Sequence, residues 1–412
     1  MLRMNKIFTV LMLAALLIGA CQPLMNPTAG VPETPRPDAP TYGVRGPYTV
    51  GTQEIVVEPD SARPLTVTVW YPAVKEANVE ELTTYAAQYP PVFENYVVAG
   101  RAIRDAAFDM TMAPYPLVVF STGLNASRLV AVNYTEHLAS YGFVVMAPDH
   151  PGTTPVDAAG DGEYWPMYVE RPQDIQRVIT YAEAATAADG LFAGLIDPEL
   201  TAVTGVSSGS LGAFAAGSAQ LDLARCLDPN EEFECSQIRG HEAELAALAG
   251  LETAPEGLWP PIFTESVDAI IPIVPDYGLY GIDDVGVAGV EIPTLILGAG
   301  GDTVNPIEQG AVPFYARIGS EHKGLVILEN AWHVFLVNAC PANPWMATDA
   351  GWGHWFCSDP VWDMQRAHDI ANHFVTAFLL AELYGDAEAA AALAPENVAI
   401  TGVQYETTGF GE

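Results

Sequence analysis

Short hydrophobic runs recur along the body of the chain and predict the strands of a single sheet. Residues 54–58 and 65–71 alternate in polarity and predict an opening antiparallel pair. Six later runs are almost continuously apolar, as strands covered on both faces must be. These six runs are residues 117–121, 143–148, 202–206, 269–274, 294–298 and 325–328.

Helical stretches lie between these runs and indicate how the sheet is connected. They cover residues 128–141, 172–188, 208–221, 307–318 and 361–384. Strands that alternate with helices favour a mostly parallel sheet, and right-handed crossovers put the helices on both of its faces. We therefore predict an α/β fold with a mostly parallel eight-stranded sheet, formed by one domain over residues 42–385.

Three segments do not follow the strand–helix alternation, and we predict that they are lid-like insertions. They are residues 74–114, 223–266 and 340–360, and the last is rich in tryptophan. The final segment, residues 386–412, begins with an Ala-rich stretch and is predicted to be a C-terminal tail.

The N-terminus has the layout of an export signal. Arg3 and Lys6 precede an apolar run over residues 7–18 that is too short for a stable membrane span. The sequence Leu17-Ile18-Gly19-Ala20-Cys21 resembles a bacterial lipoprotein processing site, with Cys21 as the lipid-modified residue. Residues 1–20 would then be the signal and residues 21–41 a proline-containing tether. The expected location is the cell envelope, or outside the cell if this is an ordinary secretory peptide.

Four cysteines remain if Cys21 carries lipid, an even number that suits an oxidising compartment. We predict two local disulfides, Cys226–Cys235 and Cys340–Cys357, although four cysteines permit three connectivities. Neither pair has the tight spacing that zinc sites favour, so no metal site is predicted.

The charge of the chain is strongly negative, with 51 acidic against 16 basic residues and a net charge of −35. Such a surface repels nucleic acid and anionic lipid, so no nucleic-acid partner is expected and membrane contact is expected only through the N-terminal lipid. Two interpretations remain open: a substrate that is neutral or cationic at its reacting end, or adaptation to salty surroundings.

The strongest motif is Gly205-Val206-Ser207-Ser208-Gly209, which follows an apolar strand and precedes a helix of small residues. The turn is so tight that the positions two before and two after the serine must lack side chains. The motif and its context resemble the nucleophile elbow of the α/β-hydrolase fold, with Ser207 as the nucleophile.

A serine nucleophile needs a histidine base that is itself held by an acid, and in this fold the chain order is serine, acid, histidine. Asp302 follows the strand at 294–298, and His333 follows the next strand. Asp276, after the strand at 269–274, is an alternative acid. His150 also follows a strand, but it precedes the serine and breaks the chain order.

The negative oxygen of a tetrahedral intermediate needs two backbone N–H donors. We expect one from Ser208, directly after the nucleophile. The other should come from the loop after the third strand, where Leu124 is our prediction and Thr122 and Gly123 are alternatives.

Several segments resemble two groups of α/β-hydrolases. Residues 116–124, residues 137–145, Val69-Trp70-Tyr71-Pro72 and His333-Val334-Phe335-Leu336 resemble the platelet-activating-factor acetylhydrolase and dienelactone-hydrolase-like branch. The region from Pro293 through Asp302 to Tyr315 resembles bacterial cutinases and polyester hydrolases. The likeness covers about residues 42–380 without the insertions.

This resemblance implies an ester hydrolase that needs no cofactor, with Ser207, Asp302 and His333 as its triad. The first branch can take its acid from the strand that precedes Asp276, and it usually has histidine where this chain has Thr122.

We therefore predict a serine carboxylic ester hydrolase that forms an acyl-enzyme on small or polymeric neutral esters, including polyesters, and acts as a monomer. The alternatives are a phospholipase on short-acyl lipids, a peptidase or thioesterase with the same triad, and a non-catalytic binding protein on this fold.

Overall fold

The computed structural model describes residues 34–89, 93–157, 163–224, 237–275, 284–337 and 355–411. A large, mostly parallel sheet runs through them, in the strand order β12-β11-β10-β9-β8-β6-β7-β2-β1-β5, and β3 and β4 pair separately as a hairpin. The strands are β1 (Thr49–Val57), β2 (Leu65–Ala73), β3 (Thr83–Tyr89), β4 (Phe93–Gly100), β5 (Ile103–Arg104), β6 (Tyr115–Ser121), β7 (Val144–Pro148), β8 (Ile196–Val206), β9 (Ala269–Ile273), β10 (Thr294–Ala299), β11 (Lys323–Leu328) and β12 (Val403–Thr408).

Helices cover both faces of the sheet. They are α1 (Val132–Ala139), α2 (Met167–Ala185), α3 (Ser210–Ala216), α4 (Glu242–Leu248), α5 (Asp284–Val287), α6 (Ala311–Arg317), α7 (Met364–Tyr384) and α8 (Ala387–Ala392). One hydrophobic cluster joins α2, α3 and α6 to one face, and a second joins α1 and α7 to the other.

The strand β6 explains why the central runs of the sequence are continuously apolar. Leu117 and Val119 belong to one buried cluster, whereas Val118 and Phe120 belong to the other. Successive side chains of a strand point to opposite faces, and both faces are covered here, so every position is apolar.

The predicted α/β class and mostly parallel sheet are confirmed. Strands occur in all eight predicted positions, and β1 and β2 pair antiparallel as expected. The count of eight was too low, because β5 and β12 also join the sheet.

The C-terminal segment is part of the domain rather than a tail. The strand β12 pairs antiparallel with β11 along its whole length, from Val403 opposite Leu328 to Thr408 opposite Lys323. It lies at the sheet edge, where its residues alternate between half-buried and exposed. Such a strand carries little of the apolar signal that identified the others, so its sequence resembled a tail.

The predicted insertions differ in what the structure describes. Residues 74–114 contain the β3–β4 hairpin, which is tied to α1 where the buried carboxylate of Glu136 accepts hydrogen bonds from the Tyr85 hydroxyl (2.6 Å) and the Arg101 N–H (2.5 Å). Residues 223–266 contain α4. Most of residues 340–360 lie outside the described residues, so a lid role for the insertions stays a prediction.

The predicted disulfides are only partly within the described residues. Cys357 is disulfide-bonded, and its partner lies outside them. Because Cys226, Cys235 and Cys340 also lie outside, the pairings Cys226–Cys235 and Cys340–Cys357 stay predictions, as does the modification of Cys21.

The end of the predicted tether packs against the domain. Arg36 forms an ion pair with Asp363 at the start of α7 (2.9 Å). Tyr42, in a short 3-10 turn (Thr41–Gly43), donates its N–H to His373 Nδ1 (3.2 Å) and accepts a hydrogen bond at its carbonyl from His137 Nε2 (2.8 Å). Residues 36–43 are therefore held by α1 and α7.

Across the described residues, no helix has the combination of length and apolar character that crossing a bilayer requires.

Because two histidines are buried, we expect the free energy of unfolding to fall in mild acid. Burial lowers the pKa of His137 to about 3 and the pKa of His373 to about 4. The unfolded chain would take up these protons near pH 6.5. The stability that the neutral histidines contribute is therefore complete above that pH and is lost as the pH falls, toward 4 for His373 and toward 3 for His137. We expect the free energy of unfolding to fall by about 2 kcal/mol for each histidine between pH 7 and pH 5.

Denaturant unfolding at each pH measures this effect. The substitution His373→Asn should flatten the pH dependence, because an amide can accept the Tyr42 hydrogen bond without titrating. The substitution His322→Asn, at an exposed histidine, is the control. Equal slopes for wild type and His373→Asn would contradict the prediction.

Candidate active site

The serine of the GxSxG motif lies at a sharp turn between β8 and α3. The strand ends at Val206, residues Ser207–Gly209 form one 3-10 turn, and α3 begins at Ser210. Ser207 has φ 54°, a left-handed conformation that is uncommon for a residue with a side chain. Such strain is typical of a nucleophile elbow, where it lifts the serine out of the sheet.

The two glycines of the motif are required by close backbone contacts. A Cβ on Gly205 would lie 2.1 Å from the carbonyl oxygen of Gly209. A Cβ on Gly209 would lie 2.3 Å from the carbonyl oxygen of Ser121, at the end of β6. The elbow therefore packs directly against the strand that leads into the predicted oxyanion loop.

Asp302 and His333 are in contact. The Nδ1 atom of His333 lies 2.6 Å from Oδ2 of Asp302. The other carboxylate oxygen accepts hydrogen bonds from the backbone N–H groups of Val304 and Asn305, both at 2.8 Å. Asp302 is only 7% exposed, and its side chain is fixed from both oxygens. A carboxylate held in this way can orient an imidazole ring.

The register of the parallel strands puts Ser207 at the same end of the sheet as Asp302 and His333, the end where the carboxyl ends of the strands lie. Val206 at the end of β8 lies opposite Ile273 of β9, and Leu297 of β10 lies opposite both Ile273 and Val326 of β11. Ser207, Asp302 and His333 each follow the carboxyl end of one of these strands. Ligands of open α/β sheets bind outside the carboxyl ends of the strands.

Asp276, the alternative acid, lies outside the described residues. The contact that favours Asp302 is its hydrogen bond with His333. Asn305 links the loop after Asp302 to the end of β9, because its side-chain amide donates to the carbonyl oxygen of Val274 (2.8 Å).

The loop after β6 reaches the elbow. A Cβ placed on Gly123 would lie 3.5 Å from the Cβ of Ser207, so this loop passes beside the serine. Leu124 is half-buried, and Ser208 is buried directly after Ser207. Ser208 follows the serine directly in sequence, and Leu124 follows the glycine that lies beside the serine, so the oxyanion role of both residues stays a prediction.

Arg171 of α2 holds this loop and was missed from the sequence. Its Nη1 donates to the carbonyl oxygen of Thr122 (2.5 Å), and its Nη2 donates to that of Gly123 (3.1 Å). The signal was a pair of charges, Arg171 and Asp174, in line with the buried positions Ile175 and Val178. Charged residues on the buried side of a helix indicate fixed polar partners.

Ser121, at the end of β6, belongs to a buried serine–histidine–aspartate cluster. Ser121 Oγ lies 2.9 Å from His150 Nε2, and His150 Nδ1 lies 3.0 Å from Asp174 Oδ2. Burial lowers the pKa of His150, and the positive charge of Arg171 adds to the effect. Burial alone would raise the pKa of Asp174, but hydrogen bonds from His150 and Arg63 outweigh it and lower that pKa. All three side chains of the cluster are buried, so a substrate cannot reach Ser121 in this structure.

Aromatic residues flank His333. Trp332 is half-buried and its ring packs against Trp355, with 6.3 Å between the ring centroids. The Trp332 N–H donates to Asp359 (2.6 Å), which fixes the backbone beside the histidine. Val304, two residues after Asp302, is exposed. The surface beside the pair is therefore partly apolar.

Within the described ranges, no three His, Cys, Asp or Glu side chains are grouped closely enough to hold a metal ion.

Two family models match separate parts of the chain. Residues 36–156 match the platelet-activating factor acetylhydrolase, isoform II model, and residues 264–357 match the PET hydrolase-like model. The first match contains the loop at Thr122–Leu124, and the second contains Asp302 and His333. No curated protein sequence matches the chain.

Both of these families are families of ester hydrolases. The matches support an α/β-hydrolase serine esterase of the platelet-activating-factor acetylhydrolase and polyester-hydrolase type. The resemblance predicted from the sequence is confirmed at this level, and the protein is a carboxylic ester hydrolase.

A methyl group at the elbow tests the packing that the structure requires. We expect Gly209→Ala to lower the free energy of unfolding by about 1–3 kcal/mol, because the new Cβ overlaps the Ser121 carbonyl. Ester hydrolysis by the folded fraction should also fall, since the elbow or the loop must shift.

Gly289→Ala is the matched control, because its Cβ would meet nothing closer than 3.3 Å. Thermal unfolding and a chromogenic ester assay measure both effects. A Gly209→Ala variant as stable and active as Gly289→Ala would contradict the close contact.

Proposed function

We propose that Ser207 is the nucleophile of a serine carboxylic ester hydrolase, with His333 as its base and Asp302 as the acid. The single observation that carries the proposal is the 2.6 Å contact between His333 Nδ1 and Asp302 Oδ2. It lies at the carboxyl ends of the strands, where the Ser207 elbow also lies. The left-handed conformation of Ser207 supports it independently.

In the proposed reaction, His333 Nε2 takes the proton of the Ser207 hydroxyl as the oxygen attacks the ester carbonyl. Asp302 accepts the hydrogen bond from Nδ1 and stabilises the imidazolium that forms. The tetrahedral intermediate collapses when His333 gives the proton to the leaving alcohol, which leaves an acyl-enzyme. Water then repeats the sequence, and the carboxylic acid is released.

The negative oxygen of each tetrahedral intermediate would accept hydrogen bonds from two backbone N–H groups. Ser208 supplies one from the start of the helical segment that follows the nucleophile, where N–H groups favour negative charge. Leu124 supplies the other from the loop beside Ser207. Donors that are fixed before the substrate binds are the effective ones in such a site.

The substrate we propose is a neutral ester, with short-chain esters first and polyesters second. The net charge of −35 disfavours anionic substrates through long-range repulsion. The half-buried Trp332 and the exposed Val304 beside Asp302 and His333 suit an apolar group next to the ester. The match of residues 264–357 to the PET hydrolase-like model supports a polyester as the substrate.

A short-acyl phospholipid is the second candidate substrate. It is supported by the match of residues 36–156 to the acetylhydrolase model, which includes the loop beside Ser207. A zwitterionic headgroup carries no net charge, so the acidic surface does not oppose it.

We further propose an exported monomer, anchored at the cell envelope through lipid on Cys21 or secreted, that works without a cofactor. The insertions at residues 223–266 and 340–360 would line the pockets for the acyl and alcohol groups. The alternative is a non-catalytic protein on this fold, and the elbow at Ser207 together with the contact between Asp302 and His333 argues against it.

Hydrolysis of p-nitrophenyl esters of graded chain length by the purified full chain tests this proposal. We expect Ser207→Ala to reduce kcat by about 10⁶-fold and Asp302→Ala by about 10⁴-fold, the losses measured for such triads. Asp276→Ala should stay close to wild type. The same preparations are then assayed on a polyester film and on short-acyl phospholipid vesicles.

Loss of activity in Asp276→Ala but not in Asp302→Ala would transfer the acid role to Asp276. A wild-type chain that hydrolyses none of these esters would contradict the proposed function. Faster turnover of phospholipid than of polyester would favour the second candidate.

A further inference from the structure

The guanidinium of Arg171 is buried against the loop that passes beside Ser207. Arg171 lies on α2, forty-nine residues after Thr122 in the chain, and its relative exposure is 0%. It donates to the carbonyl oxygens of Thr122 and Gly123 and, through Nε and Nη2, to the hydroxyl of Thr153 (3.1 and 2.8 Å). A buried cation is costly unless its donors are used, and these contacts use three of its nitrogens.

Thr153 connects the guanidinium to a third residue of the loop, Asn125. Its carbonyl oxygen accepts the N–H of Asn125 (2.9 Å), and its hydroxyl donates to the carbonyl of His150 (3.1 Å). Arg171 and Thr153 together therefore contact three loop residues, Thr122 and Gly123 before Leu124 and Asn125 after it.

Because the peptide unit is planar, the contacts of Arg171 with two carbonyl groups also fix the directions of the two N–H groups that follow them. In a trans peptide, the N–H of one residue points opposite to the carbonyl of the residue before it. Because Arg171 holds the carbonyls of Thr122 and Gly123, the N–H groups of Gly123 and Leu124 must point away from Arg171. In the described part of the chain, no acceptor takes either of these two N–H groups.

The loop passes beside the nucleophile, where an oxyanion would need donors. Gly123 lies against Ser207, with 3.5 Å between the Ser207 Cβ and the position of a Cβ on Gly123. An acyl carbonyl under attack by Ser207 would bring its oxygen to this neighbourhood. Donors fixed in advance are worth more than donors that must rotate into place during the reaction.

We propose that Arg171 is a positioning residue for the oxyanion hole, which it preorganises by holding the Thr122 and Gly123 carbonyls so that the Leu124 N–H faces the reacting carbonyl oxygen. The inference rests on the proposed function of Ser207. Arg171 does not touch the substrate, and its effect is on the transition state through the orientation of two peptide planes.

The role predicts a loss in kcat with little change in KM. For Arg171→Met we expect kcat to fall on the order of 10²-fold, because one oxyanion donor of this kind contributes 10²–10³. Arg171→Lys keeps the charge but cannot reach both carbonyls, so we expect about a tenfold loss. A variant that is purely destabilised would instead lose active protein and leave the kcat of the folded fraction unchanged.

A trifluoromethyl ketone inhibitor separates a positioning role from a structural one. The Ser207 hydroxyl gives its proton to His333 as its oxygen bonds to the ketone carbon. The C=O π electrons move to the ketone oxygen, and the resulting hemiketal holds this negative oxygen in the oxyanion hole. The inhibition constant should rise across Arg171→Lys and Arg171→Met by the same factor as kcat/KM falls. The inhibition constant of the corresponding trifluoromethyl carbinol, which has no carbonyl for Ser207 to attack, should not change.

The matched controls are Arg177→Lys and Arg177→Met. Arg177 lies on the same helix and binds Glu58, Asp174 and the Arg63 carbonyl, but no residue of the loop. Thr153→Val is a milder variant if Arg171→Met does not fold, because it removes only the hydroxyl that orients the guanidinium. We expect it to lower kcat with unchanged KM.

The outcomes are distinguishable. The inference alone would be overturned if the wild type is active and the folded Arg171 and Thr153 variants have the same kcat as the Arg177 controls. It would also be overturned if kcat falls in the Arg171 variants while the inhibition constant of the ketone does not change. A wild-type chain without ester turnover would contradict the proposed function and the inference together. Parallel changes in the ketone inhibition constant and in kcat/KM would support the positioning role.

Discussion

The close contact between two backbones, where Gly209 of the elbow lies against the carbonyl of Ser121, is the constraint on which the site depends. It is possible because β6 and β8 are neighbours in a parallel register that puts Ser121 opposite Gly205. Because neither Gly205 nor Gly209 has a side chain, the elbow can turn sharply against β6. The nucleophile and the loop that would stabilise its intermediate are thereby held next to each other by the sheet itself.

Buried polar groups give the surroundings of the site their rigidity. Asp302 is fixed through both of its carboxylate oxygens, and Arg171 through three nitrogens. Ser121, which precedes the loop, is joined by hydrogen bonds to the buried side chains of His150 and Asp174. Each of these groups would be costly to bury alone, and each is satisfied by a partner at short distance. Such networks favour one geometry, which a preorganised site requires.

The sequence predicted those parts of the molecule that depend on local pattern. Continuous apolar runs identified the central strands because both sheet faces are covered, and the glycines around Ser207 identified the elbow. The strand β12 was missed because an edge strand needs few apolar residues, and its polar alternation resembles a tail. The sequence could not separate Asp302 from Asp276, since both follow parallel strands. It also could not connect Arg171 to Thr122, because side-chain contacts across forty-nine residues leave no periodic signal.

A nucleophilic Ser207 must react covalently with a carbonyl or its analogue. Labelling of the full chain with a fluorophosphonate, followed by mass spectrometry of the digested protein, tests this most directly. We expect one equivalent of label on the peptide that contains Ser207, with loss of ester turnover in proportion to labelling. Complete loss of turnover with the label on another residue, or full turnover after Ser207 has been labelled, would contradict it.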